Sequence, residues 1–213
     1  MSDPRNELAA AGARLAALGL SPGSSGNLSV RSGDRILITP TGADLAHVDP
    51  GGLSVLALDG THLDGPRPSK EFPLHSAFYR RDAGTRAVVH LHSRQATAVS
   101  CLPPWSRRSA VPPLTPYFVM RVGQTPLLPY APPGDADQAE ELARLPFPLR
   151  AALLQNHGPV LAGTTMARAV DAAVELEEVS ALLLALGERS PRLLTPGEAA
   201  GLAETYGSPW GDC

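Results

Sequence analysis

Two histidines, His90 and His92, stand one residue apart in AVVHLHS, an apolar run that is typical of a buried strand. Because side chains alternate between the two faces of a strand, both imidazoles are predicted to point the same way. Imidazole nitrogens on one face can share a divalent metal ion, at about 2.0–2.1 Å for zinc. Two histidines on a polar sheet face would give the same pattern, so the pair alone leaves both interpretations open.

A third histidine, His157, occurs in QNHGPV, where the following glycine permits a tight turn at the end of a strand. An imidazole at a strand end would complete a three-histidine site, which keeps one coordination position open for water or substrate. The same segment also fits an ordinary hairpin turn. The metal interpretation is favoured only when the three histidines are considered together.

A carboxylate, Glu71, lies in PSKEF at the predicted start of a helix. It could serve as a general acid or base, or as a fourth metal ligand in the resting enzyme. The alternative is a glutamate that the helix macrodipole favours near a helix N-terminus.

Three short clusters rich in Ser, Thr, Gly and Asn could bind an anion: SSGN from Ser24 to Asn27, TPTG from Thr39 to Gly42, and PSK from Pro68 to Lys70. Each can present backbone N–H groups and hydroxyls to a phosphate, and the lysine adds positive charge. Each alone also fits an ordinary turn. Beside a metal site, they predict a phosphate pocket next to a Lewis acid.

Composition narrows the class of protein. The chain has 213 residues, 43% of them hydrophobic, and a formal net charge of -3. These values suit one domain with a sizeable core, and the mild acidity disfavours a general nucleic-acid or membrane-surface binder. The first residues lack the pattern of a secretory signal, and no run approaches the roughly 20 apolar residues that span a membrane.

The two cysteines, Cys101 and Cys213, match no metal-ligand or redox spacing. A disulfide between them stays open, but two thiols in a chain of this length favour a reduced, cytosolic protein. We therefore expect a cytoplasmic location.

Helices and strands alternate along the predicted fold. An N-terminal helix capped by Ser2 or Asp3 precedes strands in LSVR, RILITP and GLSVLALDG, and a helix over EFPLHSAFYRRD precedes the strand AVVHLHS. A short helix over SRQATAVSCL then leads into a proline-rich segment from Pro103 to Pro133, which is predicted to form extended pieces and turns. The many hairpin signals predict an α/β layer fold with a mainly antiparallel sheet.

The C-terminal half contains clear helix signals. A helix is predicted over DADQAEELARL, and a strand, tight turn and strand over RAALLQNHGPVLAG. Thr164 or Thr165 is predicted to cap the longest helix, which ends at Gly187. Thr195 and Glu198 form a capping box for a short last helix.

Five motifs in this order, SSGNLSVR, ITPTG, PSKEF, AVVHLHS and QNHGPVLAG, resemble the class II aldolase/adducin family over about residues 5 to 190. The resemblance implies a three-layer α/β/α sandwich around a mainly antiparallel central sheet, and we expect residues 1–213 to form a single domain of this type. It also implies a homotetramer with active sites at subunit interfaces. Zinc is the metal it implies, and Mn²⁺ or Co²⁺ stay open because imidazole suits several metals.

The resemblance also assigns site residues. It implies that His90, His92 and His157 are the metal ligands and that Glu71 is the catalytic acid or base. The positions implied to hold substrate phosphate are Gly26, Asn27, Thr41, Gly42 and Ser69. Lys70 stands where fuculose-phosphate aldolases tend to carry a second serine, and it is a candidate substrate contact. Tyr117, in the proline-rich segment, is another, with a packing aromatic as the alternative.

Within the family, the segments PSKEFPLHSAFYR, VVHLHSRQATAVSCL and PPLTPYFVMRVGQTPLLPYAPPGD resemble the branch that decarboxylates 3-oxo-tetronate 4-phosphate in the breakdown of four-carbon acid sugars. Loss of CO2 would leave an enediolate of dihydroxyacetone phosphate, which a metal stabilises as charge develops. The substrate expected is therefore a small phosphorylated sugar acid, with neither nucleic acid nor membrane as a partner.

Three alternatives remain open: a fuculose-phosphate type aldolase that releases dihydroxyacetone phosphate and an aldehyde, a dehydratase or isomerase relative, and a non-enzymatic adducin-like module. Family members of the adducin type lack the metal histidines. The presence of all three in this chain favours an enzyme, a metal-dependent lyase of carbohydrate metabolism.

Overall fold

A computed structural model describes residues 3–211 and centres on a single eight-stranded sheet. Its strands are β1 Asn27–Ser32, β2 Arg35–Ile38, β3 Ser54–Ala57, β4 His62–Asp64, β5 Ala87–His90, β6 Leu127–Leu128, β7 Ala151–Leu154 and β8 Gly158–Gly163. Their spatial order is β4-β3-β2-β1-β5-β8-β7-β6. Neighbouring strands are antiparallel except for the parallel pair β6 and β7. The prediction of a mainly antiparallel sheet is confirmed.

The helices connect these strands. They are α1 Pro4–Ala17, α2 Phe72–Arg81, α3 Arg94–Ser100, α4 Pro116–Arg121, α5 Ala136–Arg144, α6 Met166–Leu186 and α7 Pro196–Tyr206. The proline-rich segment contains no long helix, as predicted, but the six-residue helix α4 within it was not predicted. Strand β4 was not predicted.

Helix ends follow the capping signals in the sequence. The Asp3 side chain accepts a hydrogen bond at the start of α1, and Thr165 does so for α6. Both halves of the predicted capping box between Thr195 and Glu198 are present at α7. Ser2, the other predicted cap of α1, lies outside the described residues. These caps satisfy N–H groups that would otherwise lack partners at helix starts.

Two apolar cores cover the two faces of the sheet. Neighbouring residues of β5 point into opposite cores, with Val89 in one and Val88 in the other. The core on the Val89 side includes residues of α1, α3, α4 and α6, and the core on the Val88 side includes residues of α2 and α5. This arrangement is a three-layer α/β/α sandwich, as predicted.

The predicted strand over AVVHLHS is shorter than expected. Strand β5 ends at His90, so His92 lies in the connection to α3 and the strand alternation on which its orientation was predicted does not apply. Pairing with the neighbouring strand continues for one residue, since the Leu91 amide donates to the Pro159 carbonyl at 3.1 Å. The chain then turns into α3 at Ser93, and this turn sets the direction of the His92 ring.

Among residues 3–211, none of the helices combines the length and apolar character needed to cross a membrane. The Cys101 side chain is exposed, whereas Cys213 lies outside the described residues. The expectation that both thiols are reduced therefore stays a prediction.

Candidate active site

Four side chains from distant parts of the sequence meet at one edge of the sheet: Glu71, His90, His92 and His157. One ligand atom from each lies within 4.8 Å of all the others. The Nε2 atom of His92 is 3.2 Å from that of His90 and 3.0 Å from that of His157. Ligand atoms at about 2.05 Å from a tetrahedral ion would be about 3.3 Å apart. The two nitrogen pairs that include His92 therefore match the spacing of ligand atoms around a tetrahedral metal ion.

Hydrogen bonding around the cluster directs lone pairs inward. The Nδ1 atom of His90 is 2.9 Å from the Pro159 carbonyl, which can only accept, so this nitrogen carries the proton and the Nε2 lone pair faces the cluster. In the described part of the chain, Oε1 of Glu71 is buried without a hydrogen-bond partner, and it lies 3.3 Å from Nε2 of His157. Buried polar atoms are rarely left unpaired. This donor set fits a divalent cation of the zinc type.

The charge states of the cluster also favour a cation. Burial lowers the pKa of His157 to about 4, and it lowers the pKa of His92 as well. Burial opposes ionisation of Glu71, but the contacts of its carboxylate with His90, His157 and the Asn27 amide outweigh burial and hold the pKa of Glu71 below its ordinary value. At neutral pH the carboxylate is therefore ionised and His92 and His157 are neutral, as metal ligation requires.

The turn between β7 and β8 brings His157 to the cluster. Asn156 adopts a left-handed conformation with φ of 57°, which asparagine tolerates better than most residues. The next residue after the histidine, Gly158, packs so tightly that a Cβ atom there would lie 2.3 Å from the Leu91 carbonyl oxygen. The absence of a side chain at this glycine therefore lets the turn that carries His157 approach the backbone that follows β5.

We expect Gly158→Ala to open this contact and displace His157 from the cluster. The clash with backbone should cost about 1–3 kcal/mol of folding free energy and lower zinc affinity, measured by denaturant unfolding and by competition with a chromophoric chelator. Gly197→Ala is the matched control, because a Cβ atom at this position of α7 meets nothing within 4 Å. Equal zinc affinity in the two variants would contradict this role of Gly158.

A buried carboxylate that was not identified from the sequence stabilises the start of α3, close to His92. Glu177 of α6 accepts hydrogen bonds from the backbone N–H groups of Gln95 at 2.8 Å and Ala96 at 2.9 Å. These groups open α3, directly after the loop that carries His92, and the N-cap residue Ser93 makes no capping bond with its side chain. Glu177 thus takes the place of an N-cap. The only local signal is an acidic residue on the buried side of α6.

We expect Glu177→Gln to loosen the start of α3, because an amide has a single acceptor oxygen and lacks the charge that a helix N-terminus favours. Loss of such a support typically weakens metal binding by about 10- to 100-fold. The control is Glu178→Gln, since Glu178 is the next residue of α6 and is exposed. Unchanged zinc affinity in Glu177→Gln would show that the tether does not position His92.

A cavity of ≈ 210 Å³ opens beside the cluster. The predicted site residues that line it are Gly26, Asn27, Thr41, Gly42, Ser69, Lys70, Glu71, His92 and His157. His90 is fully buried and is not among the residues that line the cavity. The SSGN loop approaches the cluster closely, since a Cβ atom on Gly26, whose φ is 81°, would lie 2.8 Å from the His90 carbonyl oxygen. The three predicted anion-binding clusters and the metal ligands therefore share one cavity.

Tyr117 is the predicted site residue that the structure places elsewhere. It lies on α4, is 55% exposed and does not line this cavity. Its ring packs under the Arg121 guanidinium, whose Cζ atom is 4.9 Å from the ring centroid. Within one chain, Tyr117 therefore does not reach the site.

This fold and site define a class of protein. Residues 6–184 match the model of the class II aldolase and adducin N-terminal domain, so the chain belongs to the class II aldolase and adducin family. This confirms the family resemblance on which the site residues were assigned, and the assignments themselves stay predictions.

More specific relatives are also similar. The chain is 44% identical over 200 residues to the 3-oxo-tetronate 4-phosphate decarboxylase of Pectobacterium atrosepticum, covering 93% of this chain and 92% of that protein. It is 35% identical over 169 residues to the L-fuculose phosphate aldolase of Escherichia coli, covering 78% of this chain and 76% of that protein. The crystal structure of YgbL from E. coli, described as an aldolase, epimerase or decarboxylase, superposes with a TM-score of 0.88 at 44% identity and covers 93% of this chain and 96% of that one.

Proposed function

We propose that this protein is a lyase that decarboxylates 3-oxo-tetronate 4-phosphate to dihydroxyacetone phosphate and CO2. The observation that carries the proposal is a cluster of three histidines and one glutamate that opens onto a cavity lined by three anion-binding loops. The higher identity to a decarboxylase than to an aldolase favours decarboxylation over aldol cleavage. Such a substrate carries both a phosphate for the loops and adjacent oxygens for a metal.

The metal in this proposal is a divalent cation held by His90, His92 and His157, with Glu71 as a further ligand in the resting site. When bound, it supplies Lewis-acid stabilisation of the negative charge that develops on the substrate oxygens. We propose Zn²⁺, with Mn²⁺ and Co²⁺ as the alternatives that imidazole ligands accept.

The protein side chains control the fate of the electrons and the proton. As the bond between carbon 1 and carbon 2 breaks, its electron pair stays on carbon 2 and spreads to the oxygen on carbon 3, while CO2 leaves. Carbon 2 then takes up a proton. Glu71 is ionised in the resting site, so it first takes up a proton from solvent at Oε1 and then donates that proton to carbon 2, directly or through a water that it holds.

The phosphate is held by the loops at the mouth of the cavity. Ser69 is buried there, and its hydroxyl oxygen accepts a long hydrogen bond of 3.3 Å from the Glu71 amide, which leaves the Ser69 proton available to an anion. Thr41 and Gly42 also line the cavity and are exposed. The Gly42 N–H can face the substrate, whereas the N–H and hydroxyl of Thr41 already donate to backbone carbonyls. Neutral donors of this kind bind phosphate through oriented dipoles.

Lys70 is proposed to contact the substrate carboxylate. It is the only lysine in the chain, whose other basic side chains, histidines apart, are arginines, and it stands on the rim of the cavity. Its charge contributes to the lowered pKa values of His92 and His157. A compact ammonium can hold a carboxylate without the paired hydrogen bonds of a guanidinium, and weak binding of the departing group avoids stabilising the ground state.

We expect Lys70→Met to lower kcat/KM about 10- to 100-fold, since a hydrogen bond to a charged group is worth about 1.5–3 kcal/mol. The loss should appear mainly in KM, with bound zinc unchanged, in steady-state assays of CO2 release. Arg67→Met is the control, because Arg67 is a nearby exposed cation that does not line the cavity. Identical kinetics in the two variants would remove Lys70 from the site.

We further propose that residues 1–213 form one domain of this family and assemble as a homotetramer. Tyr117 can contact a substrate only from a neighbouring subunit, because it does not line the cavity of its own chain and is largely exposed. Light scattering after size-exclusion chromatography would measure the assembly directly. The cytoplasmic location stays a prediction.

The deciding experiment supplies two sets of substrates to the zinc-loaded protein. Release of CO2 and dihydroxyacetone phosphate from 3-oxo-tetronate 4-phosphate, lost on treatment with a chelator, is the expected result. Condensation of dihydroxyacetone phosphate with short aldehydes, without CO2 release, would instead identify an aldolase. Turnover in neither assay would favour a non-enzymatic module and overturn the proposal.

A further inference from the structure

A buried chain of polar side chains runs from Glu71 through Asn27 into the layer between α2 and β1. The Asn27 amide donates from Nδ2 to Oε2 of Glu71 at 2.8 Å, and Oδ1 of Asn27 is 2.5 Å from Nε2 of His75. The Nδ1 atom of His75 is 2.7 Å from the Ser29 hydroxyl, which is 2.8 Å from the Tyr79 hydroxyl. Asn27 was assigned above to phosphate binding, whereas His75, Ser29 and Tyr79 have no role in the proposed reaction.

The spacing of the residues explains how two elements build this chain. Glu71, His75 and Tyr79 are separated by four residues each, which places them on one face of α2. Asn27 and Ser29 alternate with residues of β1 that enter the core on the other side of the sheet. All five side chains are at most 5% exposed. The chain is therefore a polar seam inside the layer between α2 and the sheet.

The ionised Glu71 fixes the position of every proton in the seam. A carboxylate only accepts, so Asn27 must present its N–H group to Glu71 and its carbonyl oxygen to His75. That oxygen requires a proton on Nε2 of His75, and burial lowers the pKa of His75 to about 3, so the ring is neutral and Nδ1 has a lone pair. Ser29 must then donate to His75, which leaves Tyr79 to donate to Ser29.

We propose that Asn27, His75, Ser29 and Tyr79 form a one-way chain of donors that holds Glu71 by Oε2 and reserves Oε1 for proton transfer to the substrate. These four are positioning residues, and the proposal rests on the proposed function only for what Glu71 does. The second N–H of the Asn27 amide stays available to the cavity. His75 acts through Asn27, because its proton decides which end of that amide faces Glu71.

Two features argue against other roles for the seam. A purely structural contact between α2 and β1 would be satisfied by apolar side chains, without the cost of burying five polar groups. A path for protons to solvent would need an exposed end, but the far end is Tyr79, whose hydroxyl is buried and whose pKa is raised chiefly by that burial. Orientation of Glu71 is the role that the geometry supports.

The first test is the tautomer of His75, which does not depend on any substrate. Long-range ¹H–¹⁵N NMR spectra of the full-length Zn²⁺-loaded protein should show a proton on Nε2 and none on Nδ1 between pH 5 and 8, with the signals assigned by their loss in His75→Gln. A proton on Nδ1, or a doubly protonated ring, would overturn the proposal even if the protein proved to be a decarboxylase.

The second test separates positioning from packing by kinetics. We expect His75→Leu to lower kcat about 10- to 100-fold, as loss of a supporting hydrogen-bond partner does around metal sites, while KM and bound zinc stay within about threefold. His75→Gln should recover most of the loss, because its terminal amide can still donate to Asn27. The reaction used is whichever lyase activity the protein shows. Equal loss in both variants, or a kcat within about threefold of the unsubstituted protein in His75→Leu, would overturn the proposal.

A smaller substitution keeps the test decisive if His75→Leu does not fold. Ser29→Ala removes the donor that fixes His75, so its kcat should fall at least threefold at unchanged zinc content. Ser76→Ala is the matched control, because Ser76 is a buried serine of α2 whose hydroxyl has no hydrogen-bond partner among the described residues. Equal kcat in the two variants would remove Ser29 and the seam from the positioning of Glu71.

Discussion

Replacement of His92 by alanine is expected to remove bound zinc and to lower kcat/KM by at least about a thousandfold. The charge stabilisation that a metal supplies is worth several kcal/mol, and each 1.36 kcal/mol corresponds to a tenfold change in rate. The Nε2 atom of His92 lies within 3.2 Å of those of both other histidines. It is the ligand shared by both close nitrogen pairs, so its loss leaves a site with only two imidazoles.

The measurement combines metal analysis of the purified variant with the lyase assay at saturating Zn²⁺. His62→Ala is the matched control, because His62 is an exposed histidine of β4 outside the cluster. It should keep full zinc content and activity. A His92→Ala protein that still bound one zinc ion per chain and turned over substrate normally would show that the cluster is not the catalytic metal site.

Replacement of Glu71 by glutamine is expected to lower kcat by about 10²–10⁴-fold, the range that general acid–base catalysis contributes. The change keeps the shape of the side chain and its acceptor for Asn27, so three histidines should still hold the metal. The substitution removes only the ability of the carboxyl group to take up and donate a proton at Oε1. The expected signature is a large fall in kcat with zinc content close to that of the unsubstituted protein.

Zinc affinity by chelator competition and single-turnover kinetics would separate these effects. Glu204→Gln is the control, since Glu204 is exposed on α7 and lies far outside the cluster in sequence and in contacts. If Glu71→Gln kept full activity, the acid or base would have to be another group. If it lost zinc together with activity, Glu71 would be primarily a ligand.

The features predicted correctly from sequence are those that local chemistry determines. Thr195 and Glu198 cap α7 as predicted because a capping box involves only residues three apart. The β7–β8 hairpin was predicted from a glycine next to His157. The orientation of His92 was predicted from strand alternation that does not extend to it, yet the ring reaches the cluster because the Leu91 amide prolongs pairing and α3 begins immediately afterwards.

The features that sequence did not reveal depend on partners far along the chain. Glu177 contacts the start of α3 across 81 residues, and nothing near it in sequence indicates that its carboxylate is used. The seam from Glu71 to Tyr79 is visible only once β1 lies beside α2, although the spacing of four on the helix is compatible with it. Tyr117 was assigned from the resemblance alone, and α4 places its ring beside Arg121 and not in the cavity lining.

The single lysine provides one defined side chain for chemical labelling. Because every other basic side chain is an arginine or a histidine, an amine-reactive fluorophore has one side-chain target, at the mouth of the cavity, apart from the terminal amine. A dye attached there would report the arrival of phosphorylated compounds as a change in emission. Ligands could thus be screened optically before any substrate has been synthesised.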